Sequence, residues 1–119
     1  MRVAVDTAIL IRANSKAVGP ARALLQAIQD SGSQLILSPY VLAELDRVLR
    51  YPRIQSLYHL SEGDIWKYLR DLESYSDVVE PAEGSTIVLA DPNADPVVYT
   101  ALAGQADVLC TVDNHFYEP

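Results

Sequence analysis

The fold is decided by the stretch Val3-Ala4-Val5-Asp6-Thr7-Ala8-Ile9-Leu10-Ile11, which predicts a short buried strand ending in an aspartate. A second hydrophobic run, Val108-Leu109-Cys110-Thr111-Val112, ends in the same way at Asp113. In an open parallel α/β sheet, ligands bind in the crevice outside the carboxyl ends of the strands. Two carboxylates held close together there repel each other unless a cation lies between them. The pattern therefore predicts a divalent metal ion.

Strand-like and helix-like segments alternate along the rest of the chain, which predicts an α/β fold with a parallel sheet. Strands are predicted at residues 2–6, 34–37, 77–80 and 107–112, and helices at about 21–30, 38–50, 62–75 and 95–104. The 119 residues are enough for one hydrophobic core and not for two, so we expect a single domain over residues 1–119.

Charge is distributed unevenly along this acidic chain of net charge −7. Residues 1–54 carry +3, whereas residues 55–119 carry −10 and contain only two basic residues, Lys67 and Arg70. A protein that grips duplex DNA through its phosphates should be basic overall or on one face, so the composition argues against a high-affinity DNA binder. Weaker binding of nucleic acid, assisted by a metal ion, remains open. The basic cluster nearest to the predicted metal site in the sequence is Arg12, Lys16 and Arg22.

No hydrophobic run approaches the roughly 18 apolar residues of a membrane span. The N-terminal segment becomes acidic at Asp6, too early for a secretory signal, so we expect a cytoplasmic protein. The single cysteine, Cys110, cannot form an internal disulfide, and we expect it to be a small buried hydrophobic residue.

Each candidate acid also has an ordinary structural explanation. Asp6 could cap the helix that follows it. Glu44 lies at the margin of the apolar face of its helix and could pair with Arg47 one turn later. Asp95 precedes a proline and suits a helix cap. Asp91 suits a turn, and Asp113 alone could be a loop residue.

The joint arrangement of these acids is more specific than any of them alone. They follow the first strand, lie on the helix after the second strand, begin the last helix and follow the last strand, and all four positions can meet at the carboxyl edge of the sheet. Oxygen ligands without a cysteine cluster or a histidine pair select Mg²⁺ or Mn²⁺ over zinc. Such ions activate water and stabilise the oxygens involved in phosphodiester cleavage.

The order and surroundings of these residues resemble the PIN domain family of metal-dependent nucleases. The matching segments are Val-Ala-Val-Asp6-Thr7-Ala-Ile-Leu-Ile, Leu-Ser-Pro-Tyr-Val-Leu-Ala-Glu44-Leu, Asp91-Pro-Asn-Ala-Asp95-Pro-Val-Val-Tyr-Thr-Ala-Leu-Ala and Thr111-Val-Asp113-Asn-His-Phe116. The resemblance implies a three-layer α/β/α fold with a central, mostly parallel sheet. The branch that the chain most resembles contains toxin ribonucleases of bacterial toxin–antitoxin pairs.

The resemblance also implies functional residues. It assigns the four acids that bind the metal and act in catalysis to Asp6, Glu44, Asp95 and Asp113, and it gives supporting positions to Thr7, Asp91 and Thr111. The activity implied is cleavage of single-stranded RNA by an endoribonuclease that needs Mg²⁺ or Mn²⁺. The implied partners are the RNA substrate and a protein antitoxin.

Two features depart from the family pattern. Asn93 stands where relatives often have another acid, which thins the negative cluster. The chain also ends at Pro119, where the family usually continues through one more strand. An open sheet edge is an association hazard, so we expect a homodimer.

Two other functions compete with the nuclease. An aspartyl-phosphate hydrolase would use the aspartate after the first strand as a nucleophile. The phosphatase families that fit this pattern need a second aspartate two residues later, where this chain has Ala8. A catalytically weak module of the same fold that binds a protein partner is the other alternative, favoured by the acidity, Asn93 and the short C-terminus.

Overall fold

Four parallel strands form the centre of the computed structural model, which describes residues 1–80 and 96–111. The strands are β1 (Arg2–Val5), β2 (Gln34–Leu37), β3 (Ser76–Val78) and β4 (Val108–Cys110). The helices are α1 (Thr7–Arg12), α2 (Pro20–Asp30), α3 (Pro39–Leu49), α4 (Pro52–Tyr58), α5 (Glu62–Tyr75) and α6 (Pro96–Ala103).

The strand order in the sheet is β3-β2-β1-β4, and every neighbouring pair is parallel. The chain moves outward from β1 through β2 to β3 and then returns to the other side of β1 to form β4. Right-handed crossovers, the rule for parallel strands, place the helices of the first two connections on one face and α6 on the other. The α/β/α layering around a parallel sheet expected from the sequence is confirmed.

The core lies on both faces of the two central strands. Val3, Ala4 and Val5 in β1 are buried, as are the three consecutive apolar residues Leu35–Leu37 in β2. Continuous hydrophobic strands of this kind are typical of parallel sheets that are covered on both sides. On the helix side, α3 contributes Val41, Leu45 and Leu49 to the core, the apolar stripe of an amphipathic helix.

Helix starts follow local capping chemistry. Ser38 caps α3 by accepting a hydrogen bond from Val41 N at 3.3 Å, with proline as the first helical residue. Ser61 and Asp64 form a capping box at the start of α5, where each side chain accepts from the other residue's backbone N–H. These are the starts that the sequence predicts for the two helices.

The structure contains the helix α4 between residues 51 and 61, where the sequence analysis predicts no element. Pro52 ends the preceding helix, as expected, but it also occupies the first turn of a new one. This helix ends at His59, whose φ of 56° is left-handed. A proline that stops one helix is equally suited to begin the next, and the sequence pattern alone did not separate these roles.

Two further details differ from expectation. Asp6 is not the last residue of β1 but the residue that links β1 to α1. Cys110 is only partly buried, because β4 lies at the edge of the described sheet.

Glycine is required at one position of the helix–sheet packing. A Cβ atom at Gly104, just after α6, would lie 2.4 Å from Ile36 Cγ2 of β2. The end of α6 therefore approaches the sheet too closely for any side chain at this position. Within residues 1–80 and 96–111, no helix has the length and apolar character needed to cross a membrane.

Candidate active site

Polar side chains follow three neighbouring strands where each strand ends. The registers pair Val5 with Cys110 and Ala4 with Ile36, so the residues beyond the strand ends are brought level with one another. These residues are Thr111 after β4, Asp6 after β1 and Ser38 after β2. The carboxyl edge is the place where ligands bind to parallel α/β sheets.

Asp6 is the most deeply buried acid of the described chain, with 2% of its surface exposed. Its backbone N–H donates to Cys110 O at 3.0 Å and continues the β1–β4 ladder by one bond. Its Oδ1 accepts from Ile9 N at 3.0 Å and so caps α1. Its Oδ2 accepts a hydrogen bond from Thr111 Oγ1. The structure thus brings together two of the predicted site residues, one from each end of the chain.

Thr7 lies beside Asp6 in the first turn of α1. Its side chain is buried, and its Oγ1 has no hydrogen-bond partner among the described residues. A buried hydroxyl without a partner is costly and uncommon in folded proteins. This oxygen lies one residue along from a buried carboxylate, where a cation or a water molecule could satisfy both groups.

The negative charge of Asp6 also affects a neighbouring side chain. Burial raises the pKa of the Cys110 thiol above its usual value, and the Asp6 carboxylate raises it further. A raised pKa keeps the thiol protonated at neutral pH. Cys110 is therefore poorly suited to nucleophilic attack.

A second buried contact ties two helices together at the same edge. Thr100 Oγ1 in α6 donates to Ser38 Oγ at 2.6 Å, and both residues are fully buried. Ser38 is the cap of α3, the helix that carries Glu44, and Thr100 lies one turn into the helix that follows Asp95. This hydroxyl pair ties the helix that carries Glu44 to the helix that follows Asp95 in the sequence.

Glu44 lies on α3, and its side chain is partly buried, as its position at the margin of the apolar stripe predicts. No ion pair links it to Arg47 in the described chain, although Asp46 and Arg50 on the same helix do pair, at 2.8 Å. The helix α3 packs against α1, which begins at Asp6. Glu44 therefore belongs to an element that contacts the helix capped by Asp6.

The other predicted site residues, Asp91, Asp95 and Asp113, lie outside the described residues. Within residues 1–80 and 96–111, no group of three or more histidine, cysteine, aspartate or glutamate side chains could hold a metal ion. The carboxylate-rich part of the predicted site thus depends on residues beyond those ranges.

The arrangement of polar residues at this edge agrees with the family to which the sequence is similar. A model of the PIN domain family matches residues 2–115, which is nearly the whole chain. The chain belongs to the PIN domain family. PIN domains are generally nucleases and typically use divalent metal ions, so membership indicates a nuclease-type protein that acts on nucleic acid. No significant match was found among curated proteins or among solved structures.

The sequence analysis missed one pair of residues at the site edge of this PIN domain. The sequence analysis places Ser38 only at the start of the helix predicted at about residues 38–50, and it does not single out Thr100. The signal for Thr100 was a lone hydroxyl within Val97-Val98-Tyr99-Thr100-Ala101-Leu102-Ala103, an otherwise largely apolar helix. A buried threonine in such a helix needs a polar partner, but the sequence does not show which one.

Proposed function

We propose that this PIN domain is an endoribonuclease that depends on Mg²⁺ or Mn²⁺ and cleaves phosphodiester bonds of single-stranded RNA. The ligands proposed for the metal are Asp6, Glu44, Asp95 and Asp113. The family membership supports a nuclease. The choice of RNA and the ligand set go beyond membership and rest on the resemblance of the sequence motifs to those of toxin ribonucleases.

The observation that carries the proposal is the environment of Asp6. Burying a carboxylate, as at Asp6 with 2% of its surface exposed, is costly unless it is paired or hydrogen-bonded. Ile9 N–H and the Thr111 hydroxyl fix the orientation of both its oxygens. The next residue along the chain, Thr7, has a buried hydroxyl without a hydrogen-bond partner among the described residues.

The donor set fits a hard divalent cation. Asp6 and Thr7 offer oxygen atoms, the ligands that Mg²⁺ and Mn²⁺ prefer. When bound, such an ion lowers the pKa of water and neutralises charge on a phosphodiester. The chain's own residues are proposed to hold the ion, Asp6, Asp95 and Asp113 directly and Glu44 directly or through water. Either Glu44 or Asp95 would accept a proton from the attacking water.

The proposal extends to a biological setting. The resemblance to toxin ribonucleases supports a toxin of a bacterial toxin–antitoxin pair that acts on cytoplasmic RNA and is inhibited by a protein antitoxin. We also propose a single domain over residues 1–119 that forms a homodimer, with Asp91 as a peripheral residue of the site. Co-purification with an antitoxin expressed from an adjoining reading frame would test the pairing.

The central test is RNA cleavage by native protein and by the Asp6→Asn variant, with and without Mn²⁺. Asparagine caps helices as well as aspartate does, so Ile9 N–H keeps its acceptor and the fold should remain intact. Losing the charge should abolish Mn²⁺-dependent cleavage. Melting temperatures of the two proteins should be equal, or higher for the variant, because like-charge repulsion among the acids is relieved.

The matched control is Glu73→Gln, which removes one negative charge from an exposed position near the end of α5. It should cleave RNA like the native protein. Unchanged Mn²⁺-dependent cleavage by a clean preparation of Asp6→Asn would contradict the proposed mechanism.

A catalytically weak PIN module that binds a protein partner is the second candidate. The net charge of −7 and the asparagine at position 93 favour it. Such a module would bind no Mn²⁺, and neither cleavage nor stability would respond to Asp6→Asn through the metal.

A further inference from the structure

A cavity of about 240 Å³ lies between α2 and α5, and neither Asp6 nor Glu44 lines it. The two helices precede β2 and β3 along the chain and cover the same face of the sheet. One stripe of α2 forms the first wall, at the spacing of residues that share a helix face: Arg22, Leu25, Gln26 and Gln29. The proposed metal site therefore does not account for this cavity.

The cavity has an apolar floor and a polar rim. Leu25 and Tyr68 are buried, with 2% and 3% of their surfaces exposed. The Tyr68 hydroxyl donates to Leu10 O at 2.7 Å, so its only polar side-chain atom is already used within the fold. Gln26 and Ser74 are exposed at the rim, where the cavity opens to solvent. An apolar surface with a few polar groups around it is the usual composition of a small-molecule site.

The lining of the cavity contains one cation and one carboxylate, on opposite walls. Arg22 belongs to α2 and Asp71 to α5, and the other seven lining residues are uncharged. Arg22 and Asp71 form no ion pair with each other, and the ion pairs of residues 1–80 and 96–111 involve other side chains. The charges of the lining therefore sum to zero but remain apart, which suits a ligand that carries both signs.

Arg22 is anchored by the fold on the α2 side of the cavity. Its Nη1 donates to Ala13 O at 3.0 Å, and Ala13 is the C-terminal cap of α1. The side chain of Arg22 is partly buried. A guanidinium has five N–H donors in a planar fork, and this bond uses one of them. The others suit a carboxylate, which a guanidinium binds through two parallel hydrogen bonds.

The acceptors near the rim suit an ammonium group. Asp71 is exposed on α5, and its carboxylate offers about four acceptor positions. Gln26 Nε2 donates to Asp30 Oδ1 at 3.0 Å, one turn later on α2, and this bond leaves the amide carbonyl of Gln26 as a second acceptor. Asp30 itself does not line the cavity.

We propose that this cavity binds a free α-amino acid with a polar, uncharged side chain. The carboxylate of the amino acid pairs with Arg22, and its ammonium group pairs with Asp71. Its side chain contacts the amide of Gln29 and the hydroxyl of Tyr75, which line the same cavity. The inference goes beyond the proposed function, because binding here requires neither RNA nor a metal ion.

Other classes of ligand fit the cavity less well. An acid without an amine would bring a second negative group near Asp71, and an amine without a carboxylate would leave Arg22 without a counter-charge. A nucleic acid strand is a polyanion and meets the same objection at Asp71. The volume of about 240 Å³ is also below the roughly 300–1,000 Å³ of sites for drug-sized ligands, which favours a smaller molecule.

The test is a titration of isotope-labelled native protein with L-glutamine, followed by two-dimensional NMR in EDTA. Backbone amides of Arg22–Gln29 and Tyr68–Tyr75 should shift in a saturable way, and those of Val108–Cys110 should not. L-Glutaminamide lacks the carboxylate and N-acetyl-L-glutamine lacks the ammonium group. Each should bind about tenfold or more weakly than L-glutamine, the effect of losing one charged hydrogen-bonded contact.

Asp71→Asn tests the cavity from the protein side, because an exposed carboxylate can become an amide without disturbing the core. The variant should bind L-glutamine about tenfold more weakly and lose the preference for it over N-acetyl-L-glutamine. The matched control is Glu73→Gln, which removes a charge from the same helix outside the cavity and should bind like the native protein. Arg22→Gln should instead remove the preference over L-glutaminamide, whereas Arg47→Gln on α3 should not.

Each outcome decides for or against the amino-acid site. Saturable binding that is weakened in Asp71→Asn and retained in Glu73→Gln supports it. The absence of saturable shifts in the native protein would overturn it, and so would equal affinities for L-glutamine and its two derivatives. Equal affinities of the native protein and Asp71→Asn would place the binding elsewhere and reject this cavity. RNA and Mn²⁺ are absent from these titrations, so none of their results bears on the proposed nuclease.

Discussion

At the scale of single residues, Asp6 shows that a structural role and a functional role can share one side chain. Capping α1 uses Oδ1, and the bond from Thr111 uses Oδ2. A carboxylate has about four acceptor positions, so an aspartate that caps a helix can also be the ligand of a cation. The two interpretations of Asp6 that the sequence left as alternatives are therefore compatible.

Thr111 can be tested by removing its hydroxyl while keeping its shape. Thr111→Val deprives the Asp6 carboxylate of a donor, and we expect a loss of about 1–2 kcal/mol in the free energy of unfolding. Thr111→Ser retains the donor and should lose clearly less. Urea unfolding of the three proteins gives the comparison, and equal stability of the valine and serine variants would show that the hydroxyl contributes nothing.

The contribution of Tyr68 to the stability of the fold should depend on pH. Its hydroxyl donates to Leu10 O at 2.7 Å, and burial raises the pKa of Tyr68 well above its ordinary value of 10.0. A group whose pKa is raised by folding contributes stability that is complete below the unfolded pKa and is lost as pH rises beyond it. We therefore expect Tyr68→Phe to be about 1 kcal/mol less stable than the native protein at pH 7. This difference in stability should disappear above about pH 10.

Denaturant unfolding at several pH values from neutral to alkaline measures the difference directly. A deficit of Tyr68→Phe that stays constant to the highest pH at which the native protein is folded would contradict the assignment.

At the scale of elements, the Thr100–Ser38 bond is the contact that sets α6 against the start of α3. Thr100→Val keeps the volume but removes the donor to Ser38 Oγ, which retains its bond from Val41 N, and we expect a loss of about 0.5–1.5 kcal/mol. Ser38→Ala also removes the cap of α3. Because the two residues share one bond, their effects should fall short of additivity by at least about 0.5 kcal/mol in a double-mutant cycle.

Additive effects within error would mean that the two hydroxyls act independently and that the bond does not couple the helices. The pair also bears on the site, since Glu44 lies on α3 and Asp95 precedes α6. If the bond positions these acids, Thr100→Val should weaken Mn²⁺ binding, whereas Thr100→Ser, which keeps the donor, should not.

The elements themselves were largely predictable from the sequence, because their signals are local. The strand over Gln34–Leu37 and the helix over Glu62–Tyr75 were predicted at their observed bounds, since continuous apolar runs and a serine cap mark them. The helix α4 was not predicted, because its seven residues bury no side chain fully and so carry no clear apolar stripe. The periodic spacing of apolar residues in a sequence reflects the burial of one helix face. A short helix on the surface buries little of any face, so its sequence lacks that spacing.

The site was predictable in part for a related reason. Parallel strands bring the residues after their carboxyl ends to one edge, so the approach of Asp6 and Thr111 follows from the strand assignments. The Thr100–Ser38 bond and the cavity between α2 and α5 depend on how helices cross and on which face they turn outward. Those features are set by packing between segments distant in sequence, and no local pattern records them.

At the scale of the whole molecule, metal binding should appear as added stability. An ion that binds the folded chain and not the unfolded one stabilises it by about 2.7 kcal/mol when its concentration is 100 times the dissociation constant. We therefore expect the melting temperature of the native protein to rise with Mn²⁺ and that of Asp6→Asn to rise much less. The Glu73→Gln control should follow the native protein, because its charge lies away from the carboxyl edge. Mg²⁺ should act in the same direction, since it too prefers oxygen ligands. A general screening of the net charge of −7 would raise all three melting temperatures equally, so a common shift would argue for screening and against a site built on Asp6.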